Sequence, residues 1–132
     1  MSRENVEVVR NWQEAMNRGD LDEMLSLFHP EVEWRPSGAF PGLDPVYMGH
    51  DGFRRFWREF MDPWESFRIK PGEERDCGEQ VLTLGSFEAR GRDGLEARRP
   101  TAGVWTFRDG RVIVVQVYAD HAQALEAVGL RE

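Results

Sequence analysis

The stretch Leu95-Glu-Ala-Arg-Arg-Pro-Thr-Ala-Gly-Val-Trp-Thr-Phe-Arg108, then Asp109-Gly110, then Arg111-Val-Ile-Val-Val-Gln-Val-Tyr-Ala119 decides the fold. Two runs rich in β-branched and aromatic residues flank an Asp-Gly pair. That pair accepts positive φ at both central positions of a type I′ turn, so the runs pair as an antiparallel hairpin. Along the second run the side chains alternate. Ile113, Val115, Val117 and Ala119 share one face; Val112, Val114, Gln116, Tyr118 and Asp120 share the other. Upstream, turn signals at Arg92-Asp93-Gly94 and Asp76-Cys77-Gly78-Glu79 bound two more strands, Gln80 to Arg90 and Trp64 to Arg75. Downstream, Asp120 to Val128 reads as a helix with the capping pattern Asp120-x-x-Gln123, stopped by Gly129.

The N-terminal half supplies helices. Residues 3–17 place Val9, Trp12 and Met16 on one face. Asp20 and Glu23 form a capping box for a short helix carrying Leu21, Met24, Leu25 and Phe28, with Pro30 expected to close it. Glu31 to Arg35 alternates as a strand with Val32 and Trp34 inward. Pro36 to Met48 is irregular, with three prolines and two glycines, and a loop of that length in a small domain is often a lid or pocket wall. Asp51 is expected to cap a third helix whose stripe is Phe53, Phe56, Trp57 and Phe60, ended by Pro63. Helices segregated from a hairpin-connected sheet define an α+β class.

The 132 residues have room for one domain, 1–132. Twenty-four acidic against 17 basic side chains give −7, with no segregated basic face, so nucleic acid is not an expected partner. No apolar run approaches the ~20 residues of a membrane span. Met1-Ser-Arg-Glu-Asn lacks the apolar core of a secretory signal, and a cytoplasmic location is expected. One cysteine, Cys77, excludes an internal disulfide and a cysteine-based metal cluster. His29, His50 and His121 show no metal-ligand spacing, and no phosphate or dinucleotide loop occurs, so neither metal nor cofactor is expected.

Several segments, Trp12…Asn17-Arg-Gly-Asp-Leu-Asp22, Phe28-His-Pro-Glu-Val-Glu-Trp34, Tyr47-Met-Gly-His-Asp-Gly-Phe53 and Thr106-Phe-Arg-Asp-Gly-Arg-Val112, resemble the nuclear transport factor 2-like superfamily. The ending Tyr118-Ala-Asp…Ala124-Leu-Glu-Ala-Val-Gly-Leu130 resembles its SnoaL-like, polyketide cyclase-like branch. The resemblance implies a cone: a curved antiparallel sheet wrapped around the N-terminal helices, as in cystatin-like and ketosteroid-isomerase-like folds, enclosing a pocket and usually forming a homodimer. It does not fix a reaction. Where the isomerases carry an oxyanion-stabilising tyrosine, a base aspartate and a protonated aspartate, this chain has Trp12, Arg35 and the neighbourhood of Gly103. The water-activating residues of the epoxide hydrolase fall on Gly85, Phe87 and Val117. Neither set is present.

Two groups of candidates follow. Trp12, Met16, Trp34, Phe53, Phe56, Trp57, Phe60, Phe87, Trp105, Val115 and Val117 form an apolar interior suited either to a filled core or to a hydrophobic small molecule. Asp120, Arg35, Tyr47 and His121 are the acid/base or anion-anchoring candidates. Asp120 is equally a helix cap. Arg35 is equally half of an ion pair, Tyr47 a lid contact and His121 a first-turn residue. The sequence therefore supports three readings: a cofactor-free lyase, isomerase or cyclase acting on a hydrophobic metabolite, a non-catalytic binding protein, or a dimeric module with a filled cone.

Overall fold

A computed structural model describes residues 2–130. The described residues form helices α1 (Ser2–Arg18), α2 (Leu21–Leu27), α3 (Gly49–Met61) and α4 (His121–Ala127), and strands β1 (Phe28–Arg35), β2 (Tyr47–Met48), β3 (Trp64–Asp76), β4 (Gln80–Gly91), β5 (Glu96–Arg108) and β6 (Arg111–Tyr118). The strands form one curved, unclosed sheet in the order β2-β1-β6-β5-β4-β3. The four expected C-terminal strands pair as successive antiparallel neighbours. Asp109 (φ 54°) and Gly110 (φ 79°) both adopt the positive φ that the β5–β6 hairpin needs. The sheet is not wholly antiparallel: β1 runs parallel to β6. A parallel pair needs a long crossover, and here the crossover is nearly everything between residues 36 and 110.

Alternation along the strands makes two cores. Val81 on β4 and Trp105 and Phe107 on β5 join α1, α2, β1 and α3 in the larger one. Leu82, Leu84, Ala102 and Val104 point the other way and pack under Ala124 and Leu125 of α4. Helices α1 and α3 therefore lie on the concave face, and α4 covers part of the convex one.

Four local expectations are corrected. Helix α2 ends at Leu27, and Phe28 opens β1; Pro30 sits inside that strand, in the irregular stretch of its pairing with β6, where its missing N–H costs no ladder bond. Helix α3 begins at Gly49, and Asp51 lies in its first turn, paired with Arg54 rather than capping. In β6 the ladder jumps from Thr106↔Val114 to Phe107↔Val112, so Ile113 is the extra residue of a bulge. Val112, not Ile113, therefore enters the core. Ala119, beyond the end of β6, is exposed.

Candidate functional site

Between the concave face and the helices lies a cavity of about 70 Å³. Helix α1 contributes Trp12, Gln13 and Met16. Strand β1 gives Trp34, and α3 gives Phe56 and Phe60. The floor comes from Phe67 and Ile69 of β3, Thr83 and Phe87 of β4, Thr101 to Gly103 and Trp105 of β5, and Val115 and Val117 of β6. Phe40, from the 36–46 loop, completes the wall. A site that takes benzene measures about 150 Å³ and drug-sized pockets about 300–1,000 Å³, so this cavity admits a few waters or a small fragment as it stands.

The loop reaches the cavity because of one glycine. A Cβ at Gly38 would lie 2.2 Å from the Val117 carbonyl oxygen, so only glycine lets the loop seat against β6. Phe40 then packs against Phe60, Phe67 and Phe87 at ring separations of 4.9, 6.1 and 5.3 Å. The far end of the loop is held by Tyr47. Its hydroxyl accepts from the Asp44 N–H and donates to Glu59 Oε1, both at 3.2 Å. Arg55 bridges Asp44 and Glu59, with its guanidinium 4.5 Å above the Tyr47 ring. Burial, and then the Glu59 hydrogen bond, push the Tyr47 hydroxyl above the usual tyrosine range.

The polar groups carried by the wall residues fall into two sets. Trp105 Nε1 donates to Thr83 Oγ1 at 3.0 Å, and Thr83 in turn donates to the Gly103 carbonyl at 3.5 Å. Gly103 makes room for this, since a Cβ there would sit 2.8 Å from Trp105 Nε1. Thr101 Oγ1 donates to the Tyr118 carbonyl at 3.4 Å. The second set, Trp12 Nε1, Trp34 Nε1 and Gln13 Oε1, is buried with no hydrogen-bond partner. Among the described residues, no Asp, Glu, His, Lys, Arg, Tyr or Cys side chain lines the cavity.

Nine of the eleven expected apolar residues are on this wall: Trp12, Met16, Trp34, Phe56, Phe60, Phe87, Trp105, Val115 and Val117. Phe53 and Trp57 are not. Phe53 is fully buried, enclosed by the rings of Trp12, Phe28, Trp34 and Phe56, and Trp57 stacks on its far side at the edge of the helical stripe. The four ionisable candidates are also off the wall. Asp120 caps α4, accepting from the Ala122 N–H at 2.7 Å. Arg35 bonds Glu33 through Nε and a terminal nitrogen at 3.2 and 2.5 Å. His121 Nε2 donates to the Gly85 carbonyl at 2.9 Å, and Tyr47 is spent on the loop. The expected rim of acid/base groups therefore does not form around the cavity. Burial raises the Cys77 thiol above its usual range, against nucleophilic use near neutrality.

Sequence reading missed Gln13, Phe40, Phe67, Ile69, Thr83, Thr101, Ala102 and Gly103 as wall residues. Period-2 counting inward from Val81 reaches Thr83 and Phe87, which is the signal that was available for the first of these. Phe40 has no such signal, because its position is set by loop geometry alone.

An open sheet curved around helices, with an aromatic-walled cavity between them, defines the nuclear transport factor 2-like class of α+β proteins. Within it the chain belongs to the SnoaL-like family, whose domain matches residues 9–115. Among solved structures it is similar to a nuclear transport factor 2-like protein of unknown function from Burkholderia pseudomallei. That match has 30% identity and a TM-score of 0.82, and covers 96% of this chain and 98% of that one. It is also similar to TerC, co-crystallised with polyporic acid, with 27% identity, TM-score 0.81 and coverage of 95% and 98%. A protein of ketosteroid isomerase-like fold from Catenulispora acidiphila, in complex with trimethylamine, shares the fold at 14% identity, TM-score 0.76 and coverage of 94% and 93%. No protein of curated function matches the chain. No helix among the described residues is long and apolar enough to cross a membrane.

Proposed function

We propose that this protein binds a hydrophobic small molecule in the concave cavity without transforming it. The observation that carries this reading is the wall itself: aromatic and aliphatic side chains with a few neutral polar groups and no titratable one among the described residues. General acid/base catalysis needs a titratable group within about 3 Å of the reacting atoms, or one water away. The candidates for that work are engaged with helix ends, loop and surface partners instead. Apolar burial drives association, and the shape of the aromatic wall sets orientation. A monocyclic ligand needs more room than about 70 Å³, which displacement of the Phe40 ring from the wall would supply. The homodimer that the resemblance implies and the cytoplasmic location expected from the sequence belong to the same reading, and sedimentation velocity checks the dimer.

The test is native mass spectrometry of freshly purified protein for a co-purified small molecule, followed by thermal shifts with added ligand and mass analysis of that ligand after incubation. Binding with the ligand recovered unchanged is expected. Recovery of an altered mass, or of an isomer with a changed proton NMR spectrum or retention time, overturns the non-catalytic reading in favour of a cofactor-free enzyme. Failure of every apolar probe to bind points to a filled cone.

A further inference from the structure

We infer, on the basis of the binding reading above, that the ligand inserts a bare aromatic ring where the Phe40 ring now sits, against Phe60, Phe67 and Phe87. Phe40 is then the site's own competitor. Size carries the first step. The cavity measures about 70 Å³, roughly half the ~150 Å³ of a site that takes benzene, so no ring enters while every wall side chain stays in place. The wall's aromatic residues differ in what holds them. All but one stand on helices or paired strands. Phe40 stands on an irregular segment, and it is half-buried where Phe60 and Phe87 are 5% and 6% exposed. Its backbone N–H donates to the Pro36 carbonyl at 3.1 Å, and Gly38 is seated against β6. The ring can therefore swing out about its side-chain bonds with the loop still in place.

What the Phe40 ring touches defines the class of its replacement. It meets Phe60 edge-on at 4.9 Å and 75°, and Phe87 at 5.3 Å and 43°, with Phe67 6.1 Å away. Phe67 and Phe87 stack on each other at 5.1 Å and 20°, and Phe60 meets Phe67 edge-on at 4.9 Å and 78°. Those three rings hold one another in place when the fourth leaves. Edge-on and tilted contacts of this kind favour an aromatic occupant over a saturated ring of the same size. The hydroxyl and indole donors of the wall residues offer nothing to a polar substituent. Those of Thr83, Thr101 and Trp105 are bonded within the protein, and those of Trp12 and Trp34 are closed off from the cavity. A hydroxyl carried in on the ring would give up its water for ring carbons.

Toluene, which is the phenylalanine side chain as a free molecule, tests this on the full chain beside methylcyclohexane and phenol. Affinities are read by calorimetry on the wild type and on Phe40→Ala, and ring contacts by proton NMR. Referred to partition between water and hexadecane, toluene is expected to bind about fivefold tighter than methylcyclohexane. Phenol should bind about tenfold more weakly than toluene outright. Phe40→Ala should raise toluene affinity about tenfold, the gain expected if the ring stands aside about a tenth of the time in the wild type. On saturation of the wild type, contacts of toluene with the Phe60, Phe67 and Phe87 rings should appear while those between Phe40 and Phe60 vanish. Persistence of the Phe40–Phe60 contacts in the toluene complex, or toluene affinity unchanged or lowered in Phe40→Ala, overturns the displacement and leaves the binding reading standing. Methylcyclohexane at par after the same correction overturns the aromatic preference, and phenol as tight as toluene overturns the bare ring. If no probe binds either chain and the purified protein carries no small molecule, the binding reading itself fails. The wild-type contacts decide the displacement even where Phe40→Ala does not fold.

Discussion

Tyr47 is fully buried, its hydroxyl fixed between the Asp44 N–H and Glu59, and its ionisation is shifted upward by burial first. A folded-state value above the unfolded one of about 10 means the folded chain holds this proton more tightly. The associated stability is fully present below pH 10 and is lost as pH rises through the folded-state value. Tyr47→Phe should therefore cost about 1 kcal/mol at pH 7 and flatten the alkaline loss seen in urea titrations at successive pH values. Thr83 makes a different kind of contribution. Its hydroxyl is the acceptor for Trp105 Nε1, so Thr83→Val adds a third orphan indole to the cavity wall and should cost about 1–3 kcal/mol in the same urea assay. Asp120 separates cap from catalyst: Asp120→Ala should lose about 0.5–2 kcal/mol through the α4 cap, Asp120→Asn much less, and neither should alter probe affinity.

At the scale of elements, the 36–46 loop decides how large the cavity is. It is pinned at one end by Gly38 against β6 and at the other by the Tyr47, Glu59, Arg55 and Asp44 cluster, with the half-buried Phe40 between. Phe40→Ala removes the ring that touches Phe60, Phe67 and Phe87. It should enlarge the cavity, favour bicyclic over monocyclic probes in calorimetry, and cost about 1–3 kcal/mol, less than a fully buried phenylalanine. Elements with a period and a turn signal were legible before any coordinates: the β5–β6 hairpin from Asp109-Gly110, α1 from Val9, Trp12 and Met16, and the α2 cap from Asp20. What could not be read depends on contacts distant in sequence. The β6 bulge exchanges Val112 for Ile113 because of its pairing with β5, and no local pattern announces it. The same holds for the site. The aromatic wall and the Asp120 cap follow from local pattern, whereas the Tyr47 hydrogen bonds to Asp44 and Glu59 and the His121 bond to the Gly85 carbonyl depend on how loop, helix and strand meet.

For the molecule as a whole, the sheet separates two packed regions that share strands but not side chains: the concave core with the cavity, and the convex cluster under α4. Strand alternation enforces the separation, since neighbours such as Leu82 and Thr83, or Val104 and Trp105, face opposite ways. Stability and binding should therefore be separable by face. Leu125→Ala opens a void in the convex cluster, where Leu125 is 2% exposed, and should cost about 2–5 kcal/mol. Its effect on the affinity of apolar probes should be small, because the strands between keep their backbone pairing. Val117→Phe puts the added ring on the concave wall, where the 70 Å³ void takes part of it, so its stability cost should stay within about 1–3 kcal/mol while probe binding is lost. Urea denaturation and calorimetry on the two variants check the pair together. Loss of binding in Leu125→Ala, at a temperature where that variant remains folded, would mean that the two faces are coupled through the sheet.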